Sequence, residues 1–313
     1  MLRNLARLNQ FYFLRIFYEM KISIIGIGRL GGALAIALAK KGYEIENLVA
    51  RKKENAGKIA GFIVPKPKIL LSEKLNKITS DIIFITTQDF EIENVADSLA
   101  QNLQNKTFVF HTSGSLSSEI LSKLKEIGCK IGSIHPLVSI SDAVLGAERF
   151  KDAYFCVEGD DEAVKIAKEI VENLGGKSFS IETKYKTLYH ASAVTACGHL
   201  VAVIDVALEM LEKCGLDEAA GREILLPLVK STVKNLEHQT TARALTGTFA
   251  RADAETLQRQ IAILSENVSV EALEVYLQLG ERSLHLAEAR GADPEKIAEM
   301  QKIIGLAKKN FKC

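Results

Sequence analysis

An open, doubly wound α/β domain with a mostly parallel sheet, followed by an all-helical domain, is the fold this sequence predicts. Three observations predict it. From Lys21 to about Val157 short β-branched runs alternate with helical patterns, a glycine-rich loop follows the first run directly, and strand signals stop at Glu182.

Taken in order, residues 22–25, 45–50, 82–86, 108–110 and 131–134 read as strands. Continuous apolar runs separated by helices are the mark of a parallel sheet buried on both faces. Residues 30–40, 92–103 and 116–127 carry apolar side chains near helical period and supply the linking helices. A strand at 154–157, a helix at 161–174 and a strand at 178–181 extend the sheet, which places the domain boundary at Ile181. Helical patterns then cover 184–214, 217–236, 254–264, 268–290 and 294 onward. Gly215 and Gly291 stand just past two helix ends, and Asp293-Pro294 opens the last helix.

Length and composition agree with this division into 20–181 and 182–313. A chain of 313 residues that is 47% hydrophobic has enough apolar surface for two cores. Its formal net charge of +1 supplies no global field for nucleic acid or an anionic membrane, so the expected partner is a small molecule. Five cysteines without a C-x-x-C pair or zinc-type histidine spacing argue against disulfides or a structural metal and for a reducing cytoplasm. Asp205 and Glu209 interrupt the most apolar helix, so no membrane span is expected. Residues 1–19, basic and aromatic-rich ahead of Met20, are set apart. They read as a start placed too early, an accessory amphipathic helix or a targeting segment.

Gly26-Ile27-Gly28-Arg29-Leu30-Gly31 follows the first strand and opens the first helix. This is the Rossmann fingerprint. Gly26 permits the turn, Gly28 admits a pyrophosphate to the backbone and Gly31 lets helix and strand pack closely, while the helix N-terminus offers amide donors. Roughly 20 residues beyond the glycines a carboxylate would select NAD. Arg51 and Lys52 stand there instead, which suits the 2′-phosphate of NADP(H). Later strand ends should also face the cofactor: Thr87, and His111 and Ser113 at the nicotinamide end, with His135 as a substrate contact. Each has a bland reading as a helix cap or a core side chain.

The glycine loop, His111-Thr112-Ser113-Gly114, His135-Pro136-Leu137, Lys186-Thr187-Leu188-Tyr189-His190-Ala191, and Leu245-Thr246-Gly247 with Arg251 and Asp253 occur in that order. Together they resemble a bacterial and archaeal family that joins a Rossmann-like domain to a helical domain of unknown function. That family is similar to ketopantoate reductase, pyrroline carboxylate reductase and the β-hydroxyacid dehydrogenases. The resemblance implies an NADP-dependent reductase of a small carboxylated ketone, ketopantoate being the leading example, and a homodimer built on the helical domain. Imine reduction of the pyrroline-carboxylate kind and a non-catalytic dinucleotide-binding regulator are the alternatives. Gly198, Thr248 and Ala252 depart from the family's pattern.

Lys186 and His190 stand four apart on one helix, so both project from one face. By analogy with the β-hydroxyacid dehydrogenases, Lys186 is expected as general acid and His190 as its orienting partner, with the reverse assignment also open. Thr246 and Arg251, in a polar loop, are expected to hold the substrate carboxylate, with an Arg251–Asp253 salt bridge as the alternative.

Overall fold

The computed structural model describes residues 20–103 and 106–310. The segment 1–19 lies outside the described residues. The chain forms two compact units that meet in sequence at Thr195 and Ala196.

The first unit is built on an eight-stranded sheet in the order β3-β2-β1-β4-β5-β6-β7-β8. In chain order its elements are β1 (Lys21–Ile25), α1 (Arg29–Lys40), β2 (Glu44–Ala50), α2 (Lys53–Ala60), β3 (Lys68–Leu71), β4 (Ile82–Ile85), α3 (Asp89–Ala100), β5 (Phe108–His111), α4 (Ser122–Glu126), β6 (Lys130–Pro136), α5 (Ala143–Gly146), β7 (Tyr154–Gly159), α6 (Asp161–Asn173) and β8 (Lys177–Phe179). All pairings are parallel except β6 with β7. Strand periodicity divides the core between two faces. Ile22, Ile24, Phe84 and Phe110 pack with α1 and α6 on one side. Ile25, Ile83, Ile85 and Val109 pack with α3 and α4 on the other.

Three elements of this unit are absent from the sequence reading, among them the single-turn helix α5. The edge strand β3 is four residues long and follows Pro65 and Pro67, so its pattern is short and disguised. Helix α2 carries Gly57 and buries only Ala56, Ile59 and Ala60.

The second unit is helical: the remainder of α7 (Lys186–Lys213), then α8 (Glu218–His238), α9 (Thr241–Ala244), α10 (Gly247–Ala250), α11 (Ala254–Asn267), α12 (Val270–Ala289) and α13 (Pro294–Asn310). Its core gathers Leu257, Leu264, Leu273, Leu277, Leu284, Met300 and Ile304. Gly215 and Gly291 adopt the positive φ of helix C-termini. The stretch expected as a polar loop folds into α9 and α10, each a single turn too short for periodicity to reveal. The two compact units divide inside α7, whose first turn is anchored in the sheet unit through Lys186, only 1% exposed. The segment Thr183–Lys213 is long and apolar enough to cross a membrane by length and composition. Its most apolar 18-residue window has a mean hydropathy of 1.8.

Candidate active site

Gly26 turns the chain out of β1 with φ +101, and its N–H donates to the Val49 carbonyl at 2.9 Å. A side chain is excluded at Gly31, where a Cβ would lie 2.2 Å from the Gly26 carbonyl oxygen and 2.3 Å from Thr86 Oγ1. At Gly28 nothing lies within 4 Å of that position, so the loop presents an open cradle. Gly28 also stands at the N-cap of α1 and contributes no side-chain cap, leaving the first-turn amides directed outward.

Two hollows flank this loop, and Gly28, Thr86 and Thr87 line both. The larger, about 770 Å³, is bounded by Arg51, Lys52, Asn55, Glu91 and Asn94. The smaller, about 430 Å³, is bounded by Arg29, Leu30, Asp89, Ser113, His135 and His190. Thr87 Oγ1 is buried without a hydrogen-bond partner between them. An open glycine cradle, an unpartnered hydroxyl and a hollow on either side fit the two halves of a nicotinamide dinucleotide around its pyrophosphate. Among the described residues no cluster of three or more His, Cys, Asp or Glu could hold a metal ion.

The smaller hollow brings two histidines together. Nδ1 of His135, on β6, lies 2.7 Å from the Tyr189 hydroxyl on α7. The His190 ring stands edge-on to His135 with centroids 5.6 Å apart. Gly114 fills the corner between them, where a Cβ would lie 2.5 Å from His190 Cδ2 and 2.7 Å from His135 Nε2. Burial, then the charges of His190 and Lys186, push His135 down to about 4. Burial lifts the Tyr189 phenol above its ordinary range. At neutral pH both groups are therefore uncharged, with the phenol protonated.

Lys186 is not where the sequence placed it. It lines neither hollow: its ammonium turns into the protein, donates to Glu158 Oε1 at 2.7 Å and to Ser133 Oγ, and is buried with both partners. Glu158 also accepts from the Ser118 N–H at 2.9 Å and its hydroxyl at 2.7 Å. Burial lowers the Lys186 pKa while Glu158 opposes the shift. One helical face does carry both Lys186 and His190, yet only His190 reaches the hollow, because an acidic partner in β7 draws the lysine inward.

His111 is likewise corrected. It is fully buried beneath the hollow, where its Nδ1 accepts from the Ser113 N–H at 3.2 Å; burial and the Lys186 charge push it down to about 3. Ser113 does line the hollow, and its hydroxyl both donates to Asp89 at 2.8 Å and accepts from the Ser115 and Leu116 amides. Tyr189 and Glu158 were not singled out. Tyr189 directly precedes His190 in a quoted motif, and Glu158 is the lone acid in the strand YFCVEG, a signal in itself for a buried partner.

Within the second unit, Thr246 is exposed and precedes α10, and Arg251 is exposed and forms no ion pair with Asp253. Asp253 instead caps α11 through the Thr256 N–H at 3.0 Å and hydroxyl at 2.9 Å. Ala252 is buried with φ +50.

A parallel sheet with a glycine cradle outside β1, at the point where strand order reverses, defines a dinucleotide-binding protein of the Rossmann class. Residues 17–136 match the family model of the Rossmann-like domain, and residues 153–283 match a domain of unknown function, DUF2520; the chain carries these two domains in that order. It is similar to an uncharacterised oxidoreductase of Bacillus subtilis, 25% identical over 224 residues that cover 68% of this chain and 75% of that protein. A structure from Bacteroides fragilis, provisionally designated an NADP oxidoreductase, matches with a TM-score of 0.72 at 20% identity over 86% of this chain and 99% of that one. A Thermotoga maritima protein matches with a TM-score of 0.67 at 26% identity, with the same coverage.

Proposed function

We propose that the protein is an NADP(H)-dependent oxidoreductase that reduces a small carboxylated ketone or imine. The observation that carries this is His135, neutral, backed by Tyr189 and facing a hollow beside the glycine cradle. The B. subtilis relative, an oxidoreductase, supports the class.

A bound NADPH supplies the hydride. The protein's own residues handle the charge that hydride addition creates on oxygen or nitrogen. With the Tyr189 O–H donating to Nδ1, the His135 proton resides on Nε2, the edge beside Gly114. That N–H donates a hydrogen bond to the developing anion, while the protonated Tyr189 phenol holds Nδ1 as the acceptor and so keeps the donor nitrogen in place. Purified protein, NADPH and a panel of 2-oxo acids and cyclic imines, ketopantoate and pyrroline carboxylate among them, test the reading by nicotinamide absorbance. Absence of both dinucleotide binding and turnover would overturn it.

We also infer a homodimer through α7 and α8. Val201, Ile224, Leu228 and Leu236 are exposed on these helices although apolar, and such a surface on a helical unit calls for a covering partner. Light scattering should give twice the chain mass, and Leu228→Lys should shift it toward monomer. A wild-type protein monomeric at micromolar concentration would reject the pairing.

A further inference from the structure

The Arg51 guanidinium at the end of β2 already has a partner, the Glu91 carboxylate at 3.4 Å. Glu91 belongs to the first turn of α3, which follows β4, and β2 and β4 are the two neighbours of β1. Their carboxyl ends therefore converge on one hollow from opposite sides of the glycine cradle, and both side chains line it. Arg51, Lys52 and Glu91 are the charged residues in that lining; the other polar side chains there, Asn55, Ser72, Asn94 and Ser98 among them, are neutral.

We propose that Glu91 is a cofactor-selectivity residue, which competes with the cofactor's 2′-phosphate for Arg51 and accepts the ribose 2′-hydroxyl when that phosphate is absent. The proposal rests on the dinucleotide-binding reading above and deepens it. An acid at the end of β2 would serve NAD alone; here that position is basic and the acid comes from the adjacent helix. The hollow thus holds a donor for the phosphate and an acceptor for the hydroxyl together. Arg51 is three-quarters exposed and Glu91 about one-quarter, so solvent screens the pair and a phosphate can displace the carboxylate. The pocket accepts both cofactors, with a preference for NADPH that Glu91 holds down.

Binding of NADPH and NADH to wild type, Glu91→Gln and Arg51→Ala/Glu91→Gln, measured by calorimetry, tests this without any substrate. In Glu91→Gln, NADPH should bind roughly three- to tenfold more tightly and NADH several-fold more weakly, the range of one partly screened charge-assisted contact. In the double variant the gain for NADPH should vanish, because the glutamate acts through Arg51. Equal shifts for both cofactors, or none, would overturn the selectivity role while wild-type binding upholds the dinucleotide reading. Wild type that binds neither cofactor would overturn that reading and this inference with it. Circular dichroism of Glu91→Gln verifies that α3 is retained.

Discussion

The Tyr189 hydroxyl and Nδ1 of His135 lie 2.7 Å apart, joining the first turn of α7 to the end of β6. The pair decides which imidazole nitrogen carries the proton, and removing either member has a distinct consequence. His135→Asn should lower kcat by about 10²- to 10⁴-fold with little change in cofactor affinity, the range for loss of a general acid. Tyr189→Phe should lower kcat about tenfold, since the imidazole persists but its tautomer is no longer fixed. Steady-state kinetics beside NADPH binding separates the two; an unchanged kcat in His135→Asn removes the proposed donor.

Gly114 sets the spacing of the two imidazoles. A methyl group there must displace His190 or His135, and His135 is tied to Tyr189. Gly114→Ala should therefore reduce kcat roughly tenfold or more and weaken cofactor binding by less, because the glycine cradle and the larger hollow are untouched. Equal loss in both would show that the substitution disturbs the loop as a whole.

Lys186 should prove a stability residue. Its removal strands the buried Glu158 carboxylate, and Lys186→Met should cost about 3 to 5 kcal/mol in chemical denaturation. Lys186→Met/Glu158→Leu should recover much of that loss. Per folded molecule, the double variant should keep more activity than His135→Asn; the opposite order would restore Lys186 to the role the sequence suggested.

The buried histidines make stability depend on pH. His111 and His135 have folded pKa values, about 3 and about 4, below the ordinary 6.5. Their contribution is fully present above pH 6.5 and is lost as pH falls from 6.5 toward 4 and 3, because only the unfolded chain binds those protons. For His111, which is fully buried, the slope reaches about 1.4 kcal/mol per pH unit. Thermal melts from pH 7.5 to 4.5 at fixed ionic strength should show a falling Tm, and His111→Gln should flatten the fall. A slope unaltered by that substitution would exclude His111 as its source.

Much of this molecule was legible in its sequence because β-branched runs and the glycine loop state their own geometry. Strands β1, β2, β4, β5, β6 and β7 were located to within two residues at either end. What escaped depended on contacts between residues distant in sequence. No helical periodicity distinguishes Lys186, drawn inward by a carboxylate 28 residues earlier, from His190, which reaches the hollow. His111 and His135 both follow strand residues, yet one is roofed over by the Ser113 turn and the other is not. Glu91 was invisible for the same reason: it meets Arg51 only because two strands flank a third.

The Thr86 hydroxyl donates to the Gly26 carbonyl at 2.7 Å, and the Gly26 N–H is already engaged by Val49. The turn that would receive a pyrophosphate is thus rigid before any ligand arrives. Association then requires little ordering of backbone, so its rate should be set by encounter rather than by loop closure, and its heat-capacity change by apolar surface covered alone. Thr86, through the tether it places on the turn, would in that case govern how quickly the protein captures its partner: Thr86→Val, which keeps the shape and deletes the tether, should slow capture more than it hastens release.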